Sequence, residues 1–72
     1  SGSYYLKSDG KMAKSEWIYD NSYQSYYYLT SEGSYARNTW VGDYYLKSNG
    51  KMAVNERTPD GYTVDGSGKW VR

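Results

Sequence analysis

Hydrophobic and polar positions along this chain recur in blocks. "YYLKSDGKMA" from Tyr4 returns as "YYLTSEGSYA" from Tyr27, as "YYLKSNGKMA" from Tyr44 and, in a drifted form, as "YTVDGSGKWV" from Tyr62. The block starts lie 23, 17 and 18 residues apart. Aligned, they give a tyrosine column (Tyr4, Tyr27, Tyr44, Tyr62), a column of Leu6, Leu29, Leu46 and Val64, and a glycine column of Gly10, Gly33, Gly50 and Gly68. Met12, Tyr35, Met52 and Trp70 follow, and Ala13, Ala36, Ala53 and Val71 close each block. Self-similarity at such a period is the mark of a repeat architecture.

Each block reads as strand, turn, short strand. Tyr-Tyr-Leu suits a half-buried pleated surface, and Ser-Asp-Gly, Ser-Glu-Gly and Ser-Asn-Gly are turn chemistry. The stretches between blocks, "EWIYDNSYQSYYYL" from Glu16 and "TWVGDYYL" from Thr39, read as further strand-turn-strand units. Asp60-Gly61 and Asp65-Gly66 bracket another short strand near the C-terminus. No ten-residue stretch carries an apolar stripe of period 3.6, so no helix is expected. The expected fold is all-β, a β-solenoid type repeat of three to four stacked β-hairpins. A lone hairpin is barely stable in water, so each must stack on its neighbours. Residues 1–58 are read as tandem hairpin repeats, and residues 59–72 as a degenerate terminal repeat, a cap or the boundary to a neighbouring domain. Strand alternation puts Tyr27 and Leu29 on one face, the expected stacked interior, with Tyr26 and Tyr28 on the other.

Composition narrows the function classes. Aromatics are 14 of 27 hydrophobic residues, eleven Tyr and three Trp without Phe. Tyrosine joins an apolar ring to a wet tip and suits thin, half-exposed packing better than a dry core. The chain has neither Cys nor His, which removes disulfides, thiolate or imidazole metal sites and the commonest catalytic bases and nucleophiles. Net charge is +1 with both signs interspersed, so no basic stripe suggests nucleic acid. No apolar run has the length of a membrane span. Asp9, Glu32 and Asn49 fall in the turn column, where they serve turn geometry, and no carboxylate pair flanks an evident cleft. No catalytic residue, metal or cofactor is expected. The Ser-Gly-Ser start, lacking an initiator Met, reads as a cloning remnant on an excised fragment.

The block "YYLKSDGKMA" with Trp17 four residues beyond it resembles the choline-binding, or cell-wall-binding, repeats of Gram-positive surface proteins, and is similar to glucan-binding repeats. The resemblance covers most of the chain. It implies an extracellular, cell-wall-associated module that holds choline or phosphocholine of teichoic acid and anchors a larger surface protein or wall hydrolase. Glucan is the alternative ligand. Degenerate repeats acting as a structural spacer or docking module are the alternative role, favoured by Asp43, Arg57 and the uneven block spacing. Hydrolase activity, if any, belongs to the parent protein.

The family's site is an aromatic cage. A quaternary ammonium has no hydrogen to donate, so ring faces are its natural partners. The family pattern maps a tryptophan column onto Trp17, Trp40 and Arg57, and the position before Tyr-Tyr onto Ser3, Tyr26, Asp43 and Gly61. One cage is expected from Trp17, Tyr26 and Trp40, with Tyr35 at its edge. A second, from Trp40, Asp43 and Arg57, is expected to be dead, because two walls are missing and Arg57 brings a positive charge. Glu16 and Thr39 replace the family's glycine before tryptophan. Glu16 is weighed as a cation attractor against a solvated edge charge.

Overall fold

The computed structural model describes residues 4–72, so Ser3 and the Ser1-Gly2 start lie outside the described residues. Strand β1 (Glu16–Asp20) pairs antiparallel with β2 (Ser25–Leu29), β3 (Thr39–Val41) with β4 (Tyr44–Leu46), and β5 (Glu56–Arg57) with β6 (Thr63–Val64). Three two-stranded sheets follow one another along a body 38 × 21 × 19 Å in extent. Among the described residues there is no helix. The expected ladder of hairpins is the fold. The loop of the third hairpin runs between Arg57 and Thr63.

The repeated blocks form the same turn four times. The amides of Gly10, Gly33, Gly50 and Gly68 each donate 2.9 Å to the carbonyl three residues back, on Lys7, Thr30, Lys47 and Asp65. Each glycine has φ between 85° and 87°, a left-handed conformation in which a Cβ is unfavourable. Asp9 Oδ1 accepts from the Lys11 amide and Asn49 Oδ1 from the Lys51 amide, both at 3.0 Å. Asp9 and Asn49 do serve the turn, whereas Glu32 takes part through its backbone amide, which donates to Thr30 Oγ1.

After each turn the chain folds back beneath its own hairpin and onto the preceding repeat. The Ala36 and Ala53 amides donate to Tyr28 and Tyr45 in the strand just left, at 2.8 and 2.9 Å. One repeat back, the Met52 amide reaches Tyr26 at 3.0 Å and the Trp70 amide reaches Asp43 at 2.9 Å. A Cβ added to Gly33 would meet Met12, one on Gly50 would meet the Tyr27 ring, and one on Gly68 would meet Met52. These contacts hold successive hairpins in stack.

The core follows the leucine and alanine columns. Leu29, Leu46 and Val64 are fully buried, with Ala13, Ala36 and Ala53 beneath them. Each such aliphatic side chain contributes about 1.5–3 kcal/mol of burial. Tyr27 is buried with Leu29, as the alternation predicts. In β4 the pattern differs: Tyr45 on the opposite face is buried against Trp40, while Tyr44 is only half-buried. Neighbouring hairpins cover both faces there, so simple alternation does not sort the rings.

Candidate functional site

Two open cavities lie along the stack, one repeat apart. The first, about 510 Å3, is walled by Trp17, Tyr19, Tyr26 and Tyr44, with Met52 and Val54 below and a neutral rim of Gln24, Ser25, Gly66 and Ser67. No charged side chain lines it. Hairpin β1–β2 supplies Trp17, Tyr19 and Tyr26, and the next repeat supplies Tyr44 and Met52. The backbone bond from Met52 to Tyr26 sets the two walls at their separation. Trp17 stands edge-on to Tyr28 at 5.2 Å and to Tyr44 at 5.7 Å between ring centroids. Tyr19 and Tyr26 pair at 4.8 Å, and both are 45% exposed. Trp17 and Tyr44 also pack against the cluster of Ala36, Leu46 and Met52, so the cavity floor is continuous with the core.

The second cavity, about 390 Å3, is lined by Trp40, Tyr62, Trp70, Gly42, Asp43 and Arg72. Its rings repeat the geometry of the first: Trp40 lies 5.2 Å from Tyr45 and 5.9 Å from Tyr62, where Trp17 has Tyr28 and Tyr44. Trp70 takes the place of Met52 and adds a ring 6.3 Å from Trp40 and 5.4 Å from Tyr62. Asp43 takes the place of Tyr26.

The structure brings together part of the expected cage. Trp17 and Tyr26 line the same cavity, and Tyr44 stands where Trp40 was expected to close it. Trp40 lines the second cavity instead, its indole Nε1 donating 2.9 Å to Asp60 Oδ2. Tyr35 packs on Tyr27 at 5.2 Å, away from both cavities. Burial pushes the Tyr27 and Tyr35 phenols above their ordinary value of 10.0, with the Asp20 carboxylate adding to the effect. Arg57 also stands outside: it pairs with Thr63 across the third hairpin, and its Nε donates to the Gly61 carbonyl. Glu16 is engaged by Lys7 at 3.3 Å and by the Lys14 amide at 3.1 Å, the surface role rather than the cation-attracting one.

Two features went unseen in the sequence. Tyr62 and Trp70 make the second cavity aromatic without any help from residue 57. A register signal also precedes each hairpin, where Ser15, Asn38 and Asn55 hold φ of 50°, 54° and 49°. They occupy equivalent places, two residues before Trp17, Trp40 and Arg57. Asparagine tolerates this left-handed conformation, so two of the three could have marked the bend.

The family model of the choline-binding repeat matches residues 34–70, more than half of the 72 residues. The chain belongs to the choline-binding repeat family. Its fold is similar to the choline-binding domain of CbpL from Streptococcus pneumoniae, at 66% identity and a TM-score of 0.92 over 96% of this chain and 38% of that one. It is similar to the modular autolysin LytC of the same organism, at 42% identity and a TM-score of 0.90 over 99% of this chain and 18% of LytC. The choline-binding domain of Spr1274, also from Streptococcus pneumoniae, matches at 44% identity and a TM-score of 0.75, over 96% of this chain and 83% of that domain. No curated protein matches it. The chain thus spans well under half the length of CbpL's domain and of LytC, and this family membership accounts for the repeated blocks.

Proposed function

We propose that the chain is a non-catalytic cell-wall-binding module, and that its first cavity holds the quaternary ammonium group of choline on wall teichoic acid. The observation that carries this reading is a cavity with ring walls on Trp17, Tyr26 and Tyr44 and no charged side chain in its lining. A trimethylammonium group needs ring faces and methyl-sized apolar contacts, which Met52 and Val54 supply from below. Each ring is worth about 0.5–2 kcal/mol, depending on how far the cation is desolvated. Ring walls on several sides favour a compact cation over a glucan, which needs only one flat exposed ring. On this reading the module sits outside the cell, bound to the wall, and any hydrolytic activity resides elsewhere in the parent protein. Residues 59–72 then act as a degenerate repeat, a cap or the boundary to a neighbouring domain.

Calorimetric titration with choline tests the site. Tyr26 is 45% exposed, so Tyr26→Ala leaves the core intact and should weaken choline about 2- to 30-fold, the loss of one ring wall. Arg57→Ala, outside both cavities, should leave affinity unchanged. Unaltered affinity in Tyr26→Ala would sink the cage, and no heat of binding at all in the folded wild-type chain would favour a structural spacer.

A further inference from the structure

The second cavity repeats the ring geometry of the first but exchanges one wall for a charge. Where the first has Tyr26, the second has the Asp43 carboxylate, and a cation already lies against it. Arg72 Nη2 donates 2.8 Å to Asp43 Oδ1 while the guanidinium carbon stands 4.4 Å from the centroid of the Trp70 ring. Trp40 and Tyr62 close the other sides.

We propose that this second cavity is a guanidinium site, distinct in ligand from the first and filled in cis by Arg72. A guanidinium combines a planar face that stacks on an aromatic ring with N–H donors that a carboxylate accepts. The cavity offers both complements, on Trp70 and on Asp43. A quaternary ammonium could meet the rings but has no N–H for Asp43. The two cavities therefore divide organic cations by chemistry, the neutral one taking a methylated cation and the acidic one taking a cation that donates hydrogen bonds. The Arg72 side chain is 62% exposed and that of Asp43 28% exposed. The internal ligand thus lies at the mouth, where an arginine side chain of another molecule can displace it. The contrast in ligand rests on the choline reading of the first cavity; the guanidinium assignment of the second does not.

Indole NH signals of Trp17, Trp40 and Trp70 in proton–nitrogen NMR read both cavities at once. The 72-residue chain and its Arg72→Gln variant would each be titrated with methylguanidinium and, separately, with choline. In Arg72→Gln, methylguanidinium should shift Trp40 and Trp70 saturably and return them toward their wild-type positions. It should bind there about 2- to 5-fold more tightly than choline does, and about 2- to 5-fold more tightly than it binds wild type, where the exposed Arg72 pair competes. Adding Asp43→Asn to the variant should erase the preference for methylguanidinium over choline. Choline moving Trp40 and Trp70 as readily as methylguanidinium would overturn the assigned ligand. Equal methylguanidinium affinity in wild type and variant would overturn the occupancy by Arg72, and silence of both signals would remove the site. The Trp17 signal reports the first cavity separately, so failure of the choline reading shows there and nowhere else.

Discussion

Alanine at Gly68 and alanine at Gly10 impose the same backbone insult in two different surroundings. Both glycines sit in the block turn, with φ of 87° and 85°. The left-handed conformation costs an L-residue about 1–2 kcal/mol, common to both substitutions. The surroundings differ. A Cβ at Gly10 meets nothing within 4 Å, whereas at Gly68 it falls 2.6 Å from Met52 Cε and 3.0 Å from the Ala53 carbonyl oxygen. Met52 can swing away only by giving up its buried place, and the Ala53 carbonyl is backbone, in the residue whose amide donates to Tyr45, so it cannot retreat cheaply. Overpacking of this kind adds about 1–3 kcal/mol. Gly10→Ala should therefore lose about 1–2 kcal/mol and Gly68→Ala about 2–5 kcal/mol. Equilibrium urea unfolding followed by tryptophan fluorescence measures the difference. With an m-value of about 1 kcal/mol/M for a chain this small, the midpoint of Gly68→Ala should fall about 1–3 M below that of Gly10→Ala. Equal midpoints would refute the reasoning, because they would mean that the fourth block does not pack on the third as described.

Ser15 holds φ of 50° without the tolerance that asparagine has at Asn38 and Asn55. Ser15→Gly should stabilise the chain by about 0.5 kcal/mol, relief of backbone strain outweighing the entropy of the freer unfolded chain, and a lowered urea midpoint would contradict this. Hydrogen bonds from Thr58 and the Trp40 indole hold the Asp60 carboxyl below its ordinary 3.8, and Ser67 with the Lys69 amide does the same for Asp65. A depressed folded-state pKa stabilises above the unfolded value and is lost as pH falls through the folded one. Stability should thus be level with respect to these two groups above pH 3.8 and decline below it, with the Trp40 indole proton shifting in the same range. An indole signal that stays still through that titration would remove the Trp40–Asp60 bond from the account.

The turns, the leucine column and the hairpin order were legible because each depends on residues close together in sequence. Gly33 and Gly50 announce the left-handed position of their turns, and Leu29 and Leu46 announce the buried face. The partner of Trp17 was not legible. Alignment of repeats shows which residues are equivalent, but it does not show which columns meet across the stack. That depends on how far each hairpin rotates over the one before it, a sum of small backbone angles to which no single residue testifies. The rotation presents Tyr44 to Trp17 and delivers Trp40 to Tyr62 and Trp70. The same geometry explains why Asp43, read from the sequence as a missing ring, sits in an aromatic cavity all the same: Trp70 stands in the column that holds methionine at Met12 and Met52, and its larger side chain reaches where Met52 forms only a floor.

The account rests most directly on the first cavity as a choline site, and the wild-type chain alone can test it. Choline titrated into the nitrogen-labelled protein should move the Trp17 indole signal along a saturable curve, with Trp70 still on the guanidinium reading of the second cavity, where Arg72 already lies against Asp43 and Trp70. A dispersed, folded spectrum in which Trp17 ignores choline to high concentration would contradict the central claim.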